Sequence, residues 1–94
     1  MSSSRQVLNS PDAPAAVGPY SHAVHAGDLL FCSGQVALDP GSGEIVGATA
    51  GEQARRCLEN LQTVCAAAGA NLERAVSCTV LLTDMAAFAE VNEV

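Results

Sequence analysis

Ser21-His22-Ala23-Val24-His25-Ala26-Gly27-Asp28-Leu29-Leu30-Phe31-Cys32-Ser33-Gly34-Gln35-Val36 is the stretch around which the chain organises itself. Two apolar-rich runs flank Gly27-Asp28. A Gly-X pair in that position reads as a two-residue hairpin turn, with Gly27 supplying the positive φ that a type II′ turn needs. The second run is apolar on both faces up to Cys32, which predicts a central strand rather than an edge. Upstream, Arg5 to Leu8 reads as a short strand. Asn9 to Pro19 is a loop punctuated by Pro11, Pro14, Gly18 and Pro19, and Tyr20 emerges from it into the hairpin.

Downstream, Leu38 to Gly47 is a loop rich in Gly and Asp, and Thr49-x-x-Glu52 then reads as a capping box. Ala54, Cys57, Leu58, Leu61, Cys65 and Ala68 recur at helical spacing on one stripe, with Arg55, Arg56, Glu59, Gln62 and Thr63 mostly on the wet side. Gly69 stands where a left-handed C-cap belongs. This spacing predicts one amphipathic helix of about five turns. Ala75 to Leu82 is β-branched and apolar, hence an expected strand. Thr83-Asp84 offers an N-cap, Met85, Phe88 and Val91 recur at helical spacing, and Met85 and Phe88 are expected core residues of a second helix. The order hairpin, helix, strand, helix predicts an α+β or split β-α-β fold, a sheet with two helices on one face.

The second helix reaches Glu93-Val94 with no Gly, Pro or basic residue to stop it. Glu90 and Glu93 there oppose the negative end of the helix dipole. About ten residues are also marginal as an isolated helix. The expectation is a single domain over 1–94, incomplete at its C-terminus.

Composition narrows the function classes. With 94 residues, 49% hydrophobic and 15% charged, the chain is long enough for one core and too apolar to be disordered. Its net charge of −6, with only Arg55 and Arg56 adjacent, argues against the basic surface that nucleic-acid binding requires. Nothing resembles a signal peptide or a membrane span. Cys32, Cys57, Cys65 and Cys78 show no C-x-x-C, which argues against a zinc knuckle and fits reduced thiols in a cytosol, read as small buried hydrophobes. His22 and His25, three apart on a strand, point to opposite faces and cannot share one metal; they read as surface or core histidines.

Three stretches carry a family resemblance. Ala15-Ala16-Val17-Gly18-Pro19-Tyr20-Ser21 resembles the A-x-G-P-Y-S segment of the RidA (YjgF-like) family of imine deaminases. Gly27 to Gln35 resembles their hairpin ending in Ser-Gly-Gln. Ala67-Ala68-Gly69 through Asp84-Met85, Phe88 and Val91-Asn92-Glu93-Val94 is similar to their helix–strand–helix signature. The three occur in family order from about Val7 onward.

The resemblance implies a chorismate-mutase-like α+β fold, here truncated before the last two strands. It also implies a cytoplasmic homotrimer, sheets inward and helices outside, with small-molecule sites in clefts between subunits. The implied activity is hydrolysis of reactive 2-imino or enamine acids, such as 2-iminopropanoate and 2-iminobutanoate, to 2-oxo acids and ammonia. No cofactor, metal, nucleic acid or membrane is implied. An imine carbon is already electrophilic, so orientation and electrostatic preorganisation suffice for catalysis.

By the same resemblance Tyr20 borders the ligand, Ser33 and Gly34 meet it with a hydroxyl and a backbone N–H, and Asn92 orients substrate or water across the cleft. Gln35 reads as a structural hydrogen-bonder. The family's carboxylate-binding arginine and its late glutamate have no counterpart among these residues, and Arg55, Arg56 and Arg74 lie outside the matching motif. No catalytic residue is therefore assigned. The alternative is a non-catalytic ligand-binding or regulatory module lacking that arginine, with a ribonuclease or translation-inhibitor role a distant third on charge grounds.

Overall fold

The computed structural model describes residues 5–15, 21–75 and 77–94. Strands β1 (Arg5–Leu8), β2 (Ala23–Ala26) and β3 (Leu29–Cys32) form an antiparallel sheet in the order β1-β2-β3. Helix α1 (Ala50–Ala67) follows, then single 3-10 turns at Leu72–Arg74 and Met85–Ala87, the second continuing into α2 (Phe88–Asn92). The α+β class is as the pattern predicts.

Local chemistry sets the boundaries. Gly27 takes φ 58° while no non-glycine residue among those described has positive φ. A type I′ turn would need a second positive φ, at Asp28, so the hairpin has the II′ form. At the start of α1, Thr49 Oγ1 accepts from the Glu52 N–H at 3.1 Å and donates to Glu52 Oε1 at 3.0 Å. At its end, Ala70 N–H reaches Cys65 O and Gly69 N–H reaches Ala66 O, with Gly69 at φ 74°. Those two bonds are a Schellman cap, which satisfies carbonyls a helix end leaves orphaned.

Register divides the sheet into two faces. Leu8, Ala23 and Cys32 form one cross-strand row and Gln6, His25 and Leu30 the next on the same side. This side meets α1: the core is Ala13, Ala23 and Val64, with Leu8 and Leu30 packed against it. The opposite face carries the row Val7, Val24 and Phe31 together with Leu29. Val7 is 54%, Leu29 55% and Phe31 59% exposed. One sheet thus has a covered face and an open apolar one.

Several expectations are corrected. β3 is an edge of the described sheet, not a central strand, because the run expected to continue the sheet makes no ladder with it. That run, Ala75 to Leu82, forms no strand among its described residues, with Val80 63% and Leu81 91% exposed. β propensity needs a partner edge to become a strand. Met85 (69% exposed) and Phe88 (56%) are not core residues either, since no described element covers them. Of the four cysteines only Cys65 is buried; Cys32 and Cys78 are exposed and Cys57 is intermediate.

The buried stripe of α1 is also turned from its expected position. Asn60 (2% exposed) and Val64 (1%) sit deepest, while Leu58 lies at the surface. The cause is polar: Asn60 Nδ2 donates to Val36 O at 3.3 Å and Leu38 O at 3.0 Å, so the helix faces a loop that needs donors. Gln62 is likewise engaged, its Oε1 accepting from the Leu72 N–H.

Candidate functional site

The site suggested by the sequence has two parts, and α1 separates them. The first is the corner where the chain enters β2 and leaves β3. His22 is buried there, 3% exposed. Its Nδ1 accepts from the Ser10 N–H at 3.0 Å, and Nε2 lies 2.7 Å from Pro14 O. The ring must therefore be neutral with its proton on Nε2, because an amide N–H can donate only to a bare ring nitrogen. The His22 N–H is held by Asn9 Oδ1 at 3.0 Å and the His22 carbonyl accepts from the Ser33 N–H at 3.0 Å. Ser33 Oγ donates to Ser21 O at 2.5 Å.

This corner thus ties three pieces of chain together: the Asn9–Pro14 loop, Ser21-His22 leading into β2, and Ser33 at the end of β3. Tyr20 lies outside the described residues, but Pro14 and Ser21, either side of its segment, are both fixed by these bonds. Gly34 is exposed, has no positive φ, and a Cβ built on it would meet nothing within 4 Å. Neither backbone strain nor a described neighbour demands a glycine here, and the space above Gly34 is open. Gln35 is half-buried beside it. His25, on β2, is also half-buried. Sequence reasoning left His22 as a surface or core histidine and missed its clamping role; a histidine directly after Tyr20-Ser21 and before an apolar strand was the available signal.

The second part is α2, which carries Asn92 in an exposed position. Glu90 of α2 accepts a hydrogen bond from the Gly51 N–H at the start of α1. A Cβ on Gly51 would come within 2.7 Å of that carboxylate, so the Glu90 side chain would have to shift for any larger residue there. The contact also places an anion at the positive end of the α1 dipole. Cys32, immediately before Ser33, instead touches Cys65 near the other end of α1. Gly51 and Cys65 are about 21 Å apart at 1.5 Å rise per residue. Within one chain, Ser33 and Asn92 are not brought into one pocket.

An open depression beside α2 is lined by Thr49, Gly51, Glu52, Arg55, Glu90, Glu93 and Val94. Three carboxylates against one guanidinium make it a poor receptor for an anionic acid. Arg56 is turned toward Glu59 at 3.7 Å, and Arg74 is exposed on the 3-10 turn after α1. Among the described residues no three His, Cys, Asp or Glu side chains converge as a metal site, and no helix is long and apolar enough to cross a membrane.

Comparison with known proteins places this geometry. The family described as Endoribonuclease L-PSP matches residues 10–94. The chain is 54% identical over 87 residues to the RutC family protein y4sK of Sinorhizobium fredii, covering 93% of this chain and 69% of that protein. It is 46% identical over 90 residues to the 2-iminobutanoate/2-iminopropanoate deaminase of Mus musculus (96% and 67% covered) and 40% identical to that of Homo sapiens (96% and 66%). Among solved structures, RidA from an Antarctic Psychrobacter superposes with a TM-score of 0.89 at 41% identity, covering 94% of this chain and 71% of that one. TdcF of E. coli with bound serine gives 0.87 at 39% (94% and 68% covered).

Proposed function

Since the chain belongs to the RidA (YjgF-like) family, whose family model is described as Endoribonuclease L-PSP, we propose that it deaminates reactive 2-imino and enamine acids, such as 2-iminopropanoate and 2-iminobutanoate, to 2-oxo acids and ammonia. The observation that carries this reading is its 46% identity over 90 residues to a protein named for that reaction. In the proposed reaction water adds to the imine carbon, forming a C–O bond while the C=N pair moves to nitrogen. Nitrogen takes one proton of that water, then the hydroxyl proton as well; the C–N bond breaks and ammonia leaves as the oxygen pair forms the C=O of the 2-oxo acid. Each step moves protons and charge over short distances, so the protein's task is orientation and placement of donors.

In this reading Tyr20, Ser33 and Gly34 form one wall of the pocket and Asn92 of a neighbouring subunit forms another. The separation of Ser33 from Asn92 along α1 agrees with a site completed across a subunit boundary. The open row Val7, Val24 and Phe31 supports a homotrimer with sheets inward, because an apolar face of that kind marks an association surface. A cytoplasmic location goes with the same assignment.

Ammonia and 2-oxo acid release should be measured from an imine generated in situ by a PLP-dependent dehydratase acting on serine or threonine. Tyr20→Phe, Ser33→Ala and Asn92→Ala are each expected to slow it by an order of magnitude or more. Unchanged rates in all three overturn the site. Phe31→Asp is expected to shift the protein to monomers by light scattering with its helical signal kept.

The second reading is a ligand-binding or regulatory module without turnover. It is favoured by one observation: Arg55 lines the depression beside α2 and Arg56 is turned toward Glu59 on α1, so neither is directed to the Ser33 corner. Binding of a 2-oxo acid without ammonia release from the imine distinguishes it.

A further inference from the structure

The thiols of Cys32 on β3 and Cys65 on α1 lie 4.0 Å apart, although 33 residues separate them in the chain. They are the point where the sheet's covered face meets the helix. Both are free, and they differ in access: Cys32 is exposed and Cys65 is 6% exposed. Cys32 belongs to the row Leu8–Ala23–Cys32, on the side of the sheet away from Val7, Val24 and Phe31. Association through the open face would therefore leave it reachable.

We propose that Cys32 and Cys65 are a peroxide-modifiable dithiol that closes into a reversible intramolecular disulfide joining β3 to α1. The step balances as follows. The Cys32 thiolate attacks a peroxide oxygen, the O–O bond breaks, and Cys32 becomes a sulfenic acid while water, or an alcohol from an organic peroxide, leaves. The Cys65 sulfur then attacks the Cys32 sulfur, forming the S–S bond and releasing the sulfenic oxygen as water. Two thiols lose two electrons and two protons; the peroxide gains them. Exposed Cys32 is the sulfur an oxidant reaches, and buried Cys65 is the resolving partner.

Closure requires the two sulfurs to approach. A disulfide needs about 2.05 Å between sulfurs, some 2 Å less than the present 4.0 Å, and the strand and helix that carry them already pack together. The Cys32 thiol, only partly covered where β3 meets α1, is pushed up to about 11, first by that partial burial and next by Cys65 beside it, with a smaller contribution from Cys78. The Cys65 contribution is the electrostatic mark of two sulfurs held close. It also keeps the thiolate scarce at neutral pH, so the pair stays reduced until an oxidant is abundant.

The test is hydrogen peroxide treatment of the whole protein, followed by denaturing alkylation, intact mass and non-reducing peptide mapping. The expected product is a monomeric chain lighter by two hydrogens. Alkylatable thiols should fall from four to two, with a Cys32–Cys65 linked peptide that dithiothreitol releases. Cys57→Ser and Cys78→Ser should leave the link intact. Cys65→Ala, checked for native helical signal, should instead carry Cys32 on to sulfinic acid. Oxygen added at Cys32 of the unmodified sequence with Cys65 still alkylatable overturns the proposal, as does a Cys32–Cys78 link in place of the expected one. Should Cys65→Ala not fold, Cys32→Ser at the exposed position serves: retention of all three remaining thiols supports the pairing, and a Cys65–Cys78 link overturns it.

Discussion

Leu29–Cys32 and Ala75–Leu82 are similar as sequence, both apolar and both expected as strands, yet among the described residues only the first forms one. β3 is tied to β2 by a two-residue turn and lies over α1 through Leu30 and Cys32. The later run has no hairpin partner beside it in the chain, and Leu81 is 91% exposed. The difference teaches that strand propensity is a readiness to pair. A tight turn delivers the pairing partner at small entropic cost, whereas a run arriving after a helix depends on an edge brought to it from elsewhere.

Substitutions can break or sharpen that contrast. The largest effect is expected at Val64, the side chain on which the sheet's covered face rests. Val64→Asp should cost on the order of 4 kcal/mol, as an unpaired buried charge does, and remove the cooperative thermal transition. Next is His22→Ala, which strands the buried Ser10 N–H and Pro14 carbonyl at a cost of roughly 3 kcal/mol in urea denaturation. His22→Gln should recover most of it, since a glutamine amide also offers one acceptor and one donor. A glutamine no better than alanine would mean that ring packing, not the two hydrogen bonds, holds the corner.

Smaller effects should separate the two runs directly. Leu30→Ala, under β3, should lose about 2 kcal/mol, whereas Leu81→Ala should stay within about 0.5 kcal/mol. Equal losses at the two positions would dissolve the contrast. The smallest effect concerns Asp39, whose carboxylate accepts the Ser42 and Gly41 N–H groups at 2.9 and 3.0 Å. The Ser42 bond is the chief reason its pKa lies below the ordinary aspartate value, with Gly41 and Arg56 acting in the same sense. The contribution is therefore complete above the usual carboxylate range and lost as pH falls through the lowered folded value. The Gly41 and Ser42 amide resonances should move only in that acidic window, and in Asp39→Asn they should not titrate.

Legibility in sequence follows the range of the interaction. The II′ turn at Gly27, the Thr49–Glu52 cap and the Gly69 stop depend on residues within five positions of one another, and each was readable. The Asn60 clamp was missed because a polar residue on an apolar stripe is read as wet until its carbonyl partners, 22 and 24 residues away, are seen. The Gly51–Glu90 contact spans 39 residues and left no periodic trace. Ser33 and Gly34 were singled out by resemblance; what holds Ser33, the carbonyls of His22 and Ser21, came from the tertiary fold.

By itself, then, the sequence determined the α+β class, the hairpin, the five-turn helix with both its caps, and membership of the RidA family. These rest on local backbone preferences and contiguous motifs that act before any tertiary contact exists. Only the tertiary structure decided which face of α1 is inside, which apolar run became a strand, that Ser33 and Asn92 lie toward opposite ends of one helix, and that two thiols 33 residues apart meet at 4.0 Å. Each of those depends on chain segments brought together by packing, and no window along the sequence contains both partners.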